Sequence, residues 1–146
     1  MTSTGPGGTA KRYSIGTKNP NLPFHPAVRA GDFIFVSGQV AKDADGTMIA
    51  GTIEVETRAT IEAIRRILAA DGAGLEDVVR VTTYLADARD FGRYNKIFAE
   101  HFANAGLART TVEARAVIDT RIEMDAIAYK PLQDGAPAPA RLAAQR

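Results

Sequence analysis

Leu107-Ala-Arg-Thr-Thr-Val-Glu-Ala-Arg-Ala-Val-Ile118 and, two residues later, Arg121-Ile-Glu-Met-Asp-Ala-Ile-Ala-Tyr129 are alternating runs on either side of a short polar break. The pair reads as a β-hairpin with its turn at Ile118-Asp-Thr-Arg121. In the outgoing arm Arg109, Thr111, Glu113 and Arg115 share one parity; Val112, Ala114, Ala116 and Ile118 share the other and are expected to face the core. In the return arm Ile122, Met124, Ala126 and Ala128 alternate with Glu123, Asp125, Ile127 and Tyr129. If the turn centres on Thr120, Arg109 stands about eight residues up-strand of the position opposite Glu123, or ~26 Å at ~3.3 Å per residue. The two side chains then do not meet within one regular hairpin.

The preceding chain supplies the partners of this element. Tyr13-Ser-Ile15 is a short strand candidate. Asn19-Pro-Asn-Leu-Pro-Phe-His-Pro26 holds three prolines and reads as an irregular loop; it is either a site wall presenting Phe24 and His25 or only a connector. Asp32 to Gln39 is a strand with Phe33 and Phe35 on one parity and Ile34 and Val36 on the other, so both of its faces call for burial. Lys42 to Gly46 is a turn. Glu54 to Ala70 is a helix with Ile61, Ile64, Ile67 and Leu68 on one stripe, stopped at Asp71-Gly72. Val78 to Leu85 is a strand. A second helix follows an N-cap between Asp87 and Asp90 and runs to about Ala105, with Gly106 as its stop and Phe91, Tyr94, Phe98 and Phe102 as its core stripe.

The order β, β, α, β, α, β, β places two helices on one side of a mixed sheet of roughly four to six strands, an α+β two-layer sandwich. Residues 12–132 read as a single domain, with tails at 1–11 and 133–146 whose small, polar composition favours disorder. Two helices cover only one face of the sheet. Another copy of the chain is the simplest cover for the other, so a homo-oligomer is expected.

Composition narrows the chemistry. Eighteen basic against 17 acidic residues leave a net charge of +1, a poor footprint for nucleic acid. There is no cysteine, which removes thiolate catalysis, disulfides and zinc-thiolate sites. No signal-peptide pattern and no apolar run of the ~18 residues a membrane span needs are present, and a cytoplasmic protein is the expectation. Nucleotide-binding loops are missing. His25 and His101, the only histidines, lack metal-ligand spacing on one element, so no metal is expected, and neither is evidently placed as a base for Ser37. Charged residues on strands remain. For Glu113, Arg115 and Asp125 an ion-pair network across a subunit contact is the favoured reading. For Arg109, at a strand start and followed by two threonines, ligand binding is favoured.

Four motifs in order, Ser37-Gly38-Gln39, Asp90-Phe-Gly-Arg-Tyr-Asn95, Arg109-Thr-Thr-Val112 and Ile122-Glu-Met-Asp-Ala-Ile-Ala128, resemble those of the RidA (YjgF/YER057c/UK114) family of enamine/imine deaminases, across about residues 19–130. The resemblance implies a chorismate mutase-like fold and a homotrimer with sites in its inter-subunit clefts. It implies that Arg109 holds a substrate carboxylate, that Glu123 positions or activates water, and that Phe24, Ser37, Gly38, Asn95 and Thr111 contact substrate. It further implies hydrolysis of a 2-imino or 2-enamino acid to a 2-oxo acid and ammonia without metal or cofactor. Three departures stand out: Phe24 replaces the family's tyrosine, Ala63 a frequent asparagine, and Asp125 the second glutamate. Ala30 to Gly38 and Ala128-Tyr-Lys-Pro-Leu132 are also similar to 2-aminomuconate deaminases, which act on a larger enamine. A non-catalytic ligand-binding trimer is the reading from another class.

Overall fold

The computed structural model describes residues 11–132. The two expected tails fall outside them, apart from Lys11. Six strands form one sheet: β1 (Arg12–Ile15), β2 (Ala27–Ala30), β3 (Phe33–Val40), β4 (Val78–Leu85), β5 (Ala108–Glu113) and β6 (Ile122–Tyr129), in the spatial order β1-β2-β3-β6-β4-β5. Helices α1 (Ile53–Ala69) and α2 (Phe91–Phe102) lie on one side. The α+β two-layer sandwich is as expected.

The hairpin is not. β4 lies between the two arms: β5 runs parallel to β4 on its outer side, while β6 runs antiparallel to both β4 and β3. After Glu113 the chain leaves the sheet, crosses its end through residues 114–121, and returns between β3 and β4. The alternation of residues is the same for either partner, which is why the sequence pattern does not separate a hairpin from this crossover. Burial does separate them. Ile122, Met124, Ala126 and Ala128 are all buried, as suits a central strand, whereas no residue of β5 is.

The parity assigned to the first arm is also reversed. Arg109 pairs with Val81, Thr111 with Thr83 and Glu113 with Leu85, all three partners being core residues. Arg109, Thr111 and Glu113 therefore lie on the helix side, and Val112 on the open side, where it is exposed. Arg115, Ala116 and Ile118 belong to the crossing loop and to no strand.

Strand β2, which was not expected, forms a tight hairpin with β3. Ala30 pairs with Phe33 across Gly31-Asp32, and Gly31 takes φ +59°, a left-handed conformation that glycine adopts without a Cβ penalty. Helix α1 begins at Thr52, whose hydroxyl accepts from Val55 N–H at 3.2 Å, and closes through Gly72 at φ +77°. Helix α2 ends at Phe102, short of the anticipated Ala105, and Gly106 does not take a left-handed φ.

The core between layers holds Ile34, Val36, Val81, Leu85, Ile122 and Met124 from the sheet and Ile61, Ile64, Leu68, Tyr94 and Phe98 from the helices. Each such aliphatic side chain contributes about 2 kcal/mol by leaving water. A bulge at Val79 keeps Val78 and Val81 both inward. One end of the sheet is pinned by a charge. Arg29, 1% exposed, donates to Asp71 Oδ2 at 2.6 Å and to the Lys130 carbonyl at 2.7 Å, joining β2, the end of α1 and the end of β6. On the open face Phe33, Phe35, Val79, Val112 and Tyr129 stand exposed, Phe35 by 45%. Such a row of large apolar side chains is a surface that soluble chains ordinarily cover.

Candidate functional site

Arg109 lies on the edge strand β5, turned toward α2. Its guanidinium carbon is 4.7 Å from the ring centroid of Phe98, 5.0 Å from Tyr94 and 5.7 Å from Phe91. The aromatic stripe of α2 is thus core on one side and a seat for a cation on the other; Tyr94 and Phe98 are buried while Phe91 is partly exposed. Ring faces attract and orient a guanidinium without using its N–H donors. Among the described residues Arg109 has no ion pair and donates no side-chain hydrogen bond. A planar, pre-oriented cation with open donors suits a carboxylate bound through two parallel hydrogen bonds.

Two further residues singled out from the sequence lie on the same two elements. Asn95 on α2 and Thr111 on β5 each bury a side-chain oxygen, Oδ1 and Oγ1, that has no hydrogen-bond partner. Buried polar atoms are nearly always satisfied. Of the five unsatisfied side-chain atoms among the described residues, these two lie on the strand and the helix that hold Arg109. The neighbouring Thr83 and Tyr94 hydroxyls satisfy each other at 2.7 Å.

Glu123 lies elsewhere. It pairs with Tyr84 and Val40 and projects from the open face, opposite in sense to Ile122 and Met124. Its carboxylate packs directly over Gly38, where a Cβ would collide with Oε2. Gly38 belongs to the irregularity between Val36 and Gln39, so a β-bulge and a missing side chain together make the room. Ser37 Oγ donates to the His25 carbonyl at 2.7 Å, tying the Phe24 loop to the same bulge, and Phe24 is 50% exposed. Burial, reinforced by the charge of Asp125, pushes the Glu123 carboxyl above its ordinary value. Burial also raises Asp125, opposed by a hydrogen bond from the Tyr84 hydroxyl and by the charge of Arg80. Asp125 and, to a lesser degree, Glu123 in turn raise Tyr84.

The seven candidate residues therefore form two groups. Arg109, Asn95 and Thr111 sit at the β5–α2 edge, and Glu123, Gly38, Ser37 and Phe24 at the β3–β6 bulge. Arg109 stands at the level of Val81 and Glu123 at that of Tyr84, so the two strands are separated by β4 and the two side chains by the sheet itself. The hairpin spacing worked out from the sequence does not apply, because the hairpin does not exist. Of the charges expected to pair across a subunit contact, Glu113 accepts from Ala88 N–H at 2.7 Å inside the chain, and Asp125 from Tyr84 Oη at 3.5 Å.

Two contributors were not found from the sequence. Tyr84 was seen only as a strand residue. Glu56, an acid outside the apolar stripe of α1, is buried: Oε1 accepts from Thr120 Oγ1 at 3.2 Å and Arg121 N–H at 3.0 Å, and Oε2 from Gly51 N–H at 3.2 Å. It anchors the crossing loop just before Glu123. Its position in the first turn beside Thr52 was the available signal. No group of three or more potential metal ligands occurs among the described residues, and none of their helices is long and apolar enough to cross a membrane.

Comparison with known proteins gives the following. The family model described as Endoribonuclease L-PSP matches residues 16–130. A RutC family protein of Pyrococcus abyssi is 44% identical over 113 residues, covering 76% of this chain and 89% of its own. Among solved structures, a putative endoribonuclease from Thermotoga maritima superposes with a TM-score of 0.75 at 32% identity, covering 81% of this chain and 97% of its own. A Mycobacterium tuberculosis member of the YjgF/YER057c/UK114 family superposes with a TM-score of 0.72 at 25% identity, covering 81% and 98%.

Proposed function

The chain belongs to the YjgF/YER057c/UK114 (RidA) family, matched by the Endoribonuclease L-PSP model, and we propose that within it this protein hydrolyses reactive 2-enamino and 2-imino acids to 2-oxo acids and ammonia, in clefts between the subunits of a homotrimer. The observation that carries the proposal is Arg109: a guanidinium seated on three aromatic rings with no anionic partner among the described residues. It takes the substrate carboxylate. Asn95 and Thr111 offer their unpartnered oxygens to the same ligand. Glu123 belongs to the facing subunit. The open face that bears it carries the apolar side chains a second copy would cover, so one interface both buries them and joins the two halves of a site.

In the reaction, water adds to the imine carbon of R–C(=NH2+)–COO−. Glu123 removes a proton from that water as the C–O bond forms. The carbinolamine then collapses: nitrogen takes the proton held by Glu123, the C–N bond breaks as the C=O bond forms, the hydroxyl proton passes to the departing ammonia, and R–CO–COO− and ammonium leave. A carboxyl whose pKa is raised toward neutrality is suited to both transfers. The protonated imine is already electrophilic, so orientation and proton transfer are what the protein supplies.

A larger enamine acid is a second reading, favoured by Phe24: half exposed and lacking the family's hydroxyl, it offers an apolar wall in place of a hydrogen bond. Nucleic-acid cleavage, which the name of the family model suggests, has less support. Net charge is +1, and the open face carries Glu123 and Asp125, which repel phosphates. The experiment is release of ammonia and 2-oxo acid when a pyridoxal-phosphate dehydratase generates the enamine in situ. Acceleration over buffer that Arg109→Ala abolishes supports the proposal. Binding of 2-oxo acids without turnover indicates a non-catalytic trimer instead.

A further inference from the structure

On the helix side of the sheet, behind the Ser37–Gly38 bulge, a cavity of about 610 Å3 opens between the segment that follows β1, the turn after β3 and the C-terminal half of α1. Its size is that of small-molecule sites. Gln39 forms part of its wall. This residue is 4% exposed, and its Nε2 donates to the Ser37 carbonyl at 3.0 Å, while Oε1 is buried with no hydrogen-bond partner. An amide oxygen in that state carries its desolvation penalty uncompensated. Lys18, Lys42 and Arg66 also line the cavity, and among the described residues none of the three has an ion pair. Two acids line it as well: Asp43 is engaged by its own turn, its Oδ1 accepting from Asp45 and Thr47 N–H, and Asp45 is exposed on that turn, so the wall carries three cations against two acids. Ala63, Ile67 and Ala70 give an apolar side.

We infer that this cavity is a second ligand site, taking a small organic anion that also carries a hydroxyl or amino donor. The acid group lies against Lys42 and Arg66, and the donor reaches Gln39 Oε1. Burial, and then the charge of Arg66, hold the Lys42 ammonium below its ordinary pKa, a cost that a bound anion relieves. The site is separate from the proposed cleft: Gln39 pairs with Met124 on the helix side, whereas Glu123 faces the other way. It does not rest on the deaminase reading. Its one link to that cleft is the hydrogen bond from Gln39 to Ser37, on the bulge over which Glu123 packs.

The test titrates the isotope-labelled full chain with L-threonine, as a carboxylate probe, and separately with sn-glycerol 3-phosphate, as a phosphate probe. It follows the Gln39 side-chain amide and the backbone amides of 42–46 and 66–70. The expected result is saturable shifts at these positions with at least one probe, unchanged in Arg109→Ala and weakened about tenfold or more in Lys42→Met. Lys42 is only partly buried, so that variant retains its fold. The response of one probe and not the other identifies the acid group. Absence of shifts with both probes overturns the inference. So does binding that Arg109→Ala removes and Lys42→Met leaves intact, which would place the ligand in the cleft.

Discussion

Arg109 and Glu123 lie on opposite faces of one sheet, on strands that both pair with β4 and never with each other. Two strand spacings of ~4.8 Å and about three residues of ~3.3 Å separate their backbones by ~14 Å. If both act on one substrate, each site draws them from different chains. Arg109→Ala and Glu123→Gln should then each be inactive alone, while subunits of the two, unfolded and reassembled together, should recover about a quarter of wild-type activity, since that fraction of interfaces pairs two intact residues. Zero recovery in trimers verified as mixed would refute sites shared between subunits.

Arg109→Lys keeps the charge but loses the planar fork and much of the ring stacking. We expect kcat/KM to fall about a hundredfold or more, an effect of about 3 kcal/mol or more, with thermal stability nearly unchanged. Phe98→Leu should produce a smaller loss, dominated by KM, because the cation remains but its seat is loosened. Steady-state kinetics beside calorimetric melting separates these effects.

Burial and Asp125 raise the Glu123 pKa above its ordinary 4.5. As a base, Glu123 acts only when ionised, so the rate should rise with pH through that raised value. Glu123→Gln should lower kcat by about 10²–10⁴ and remove this limb of the profile. The stability sign is opposite. A carboxyl with a raised folded pKa contributes stability that is complete below its unfolded pKa and lost as pH rises through the folded one. Wild type should therefore lose stability over that window, and Glu123→Gln should lose less. Denaturant titrations at stepped pH measure it.

Gly38→Ala places a methyl where Glu123 Oε2 sits. The carboxylate must move, so activity should fall at least tenfold, with a stability cost of about 1–3 kcal/mol. Gly92→Ala is the control: inside α2, with nothing within 4 Å of the added carbon, it should be neutral or stabilise by about 0.5–1 kcal/mol.

Asp71→Ala strands the Arg29 guanidinium in the core, where it is 1% exposed beside a 2.6 Å contact. The expected cost is about 3–5 kcal/mol in denaturant unfolding. Arg65→Ala, which breaks the half-exposed pair with Glu62, should cost less than about 0.5 kcal/mol.

The elements that could be read from the sequence were those whose patterning is local. The stripe Ile61, Ile64, Leu68 defined α1, the double apolar parity of Phe33 to Val36 defined β3, and the short motifs around Arg109 and Glu123 located the candidate residues. What was lost depended on partners distant in sequence. Alternation in β5 and β6 is blind to which strand lies alongside, so an ordinary hairpin looked sufficient. The inward face of β5 was assigned from Val112 and Ala114, yet an edge strand beside an aromatic helix can seat an arginine inward. β2 is four residues long and follows a proline-rich loop, leaving too little periodicity to recognise. Glu56 looked like any helix-surface acid until the loop that closes over it was in place.

The route of β6 also bears on when the domain can assemble. A nascent chain ending at Arg121 contains the β1–β2, β2–β3 and β4–β5 ladders, but not one hydrogen-bonded strand pair joining the two blocks. Residues 122–129 supply both missing ladders at once. Assembly during synthesis thus waits for the last strand to clear the ribosome, and the two helices meanwhile have half-sheets to cover rather than a finished floor. A polypeptide truncated before Ile122 is not a domain short of one strand; it is two fragments on one chain.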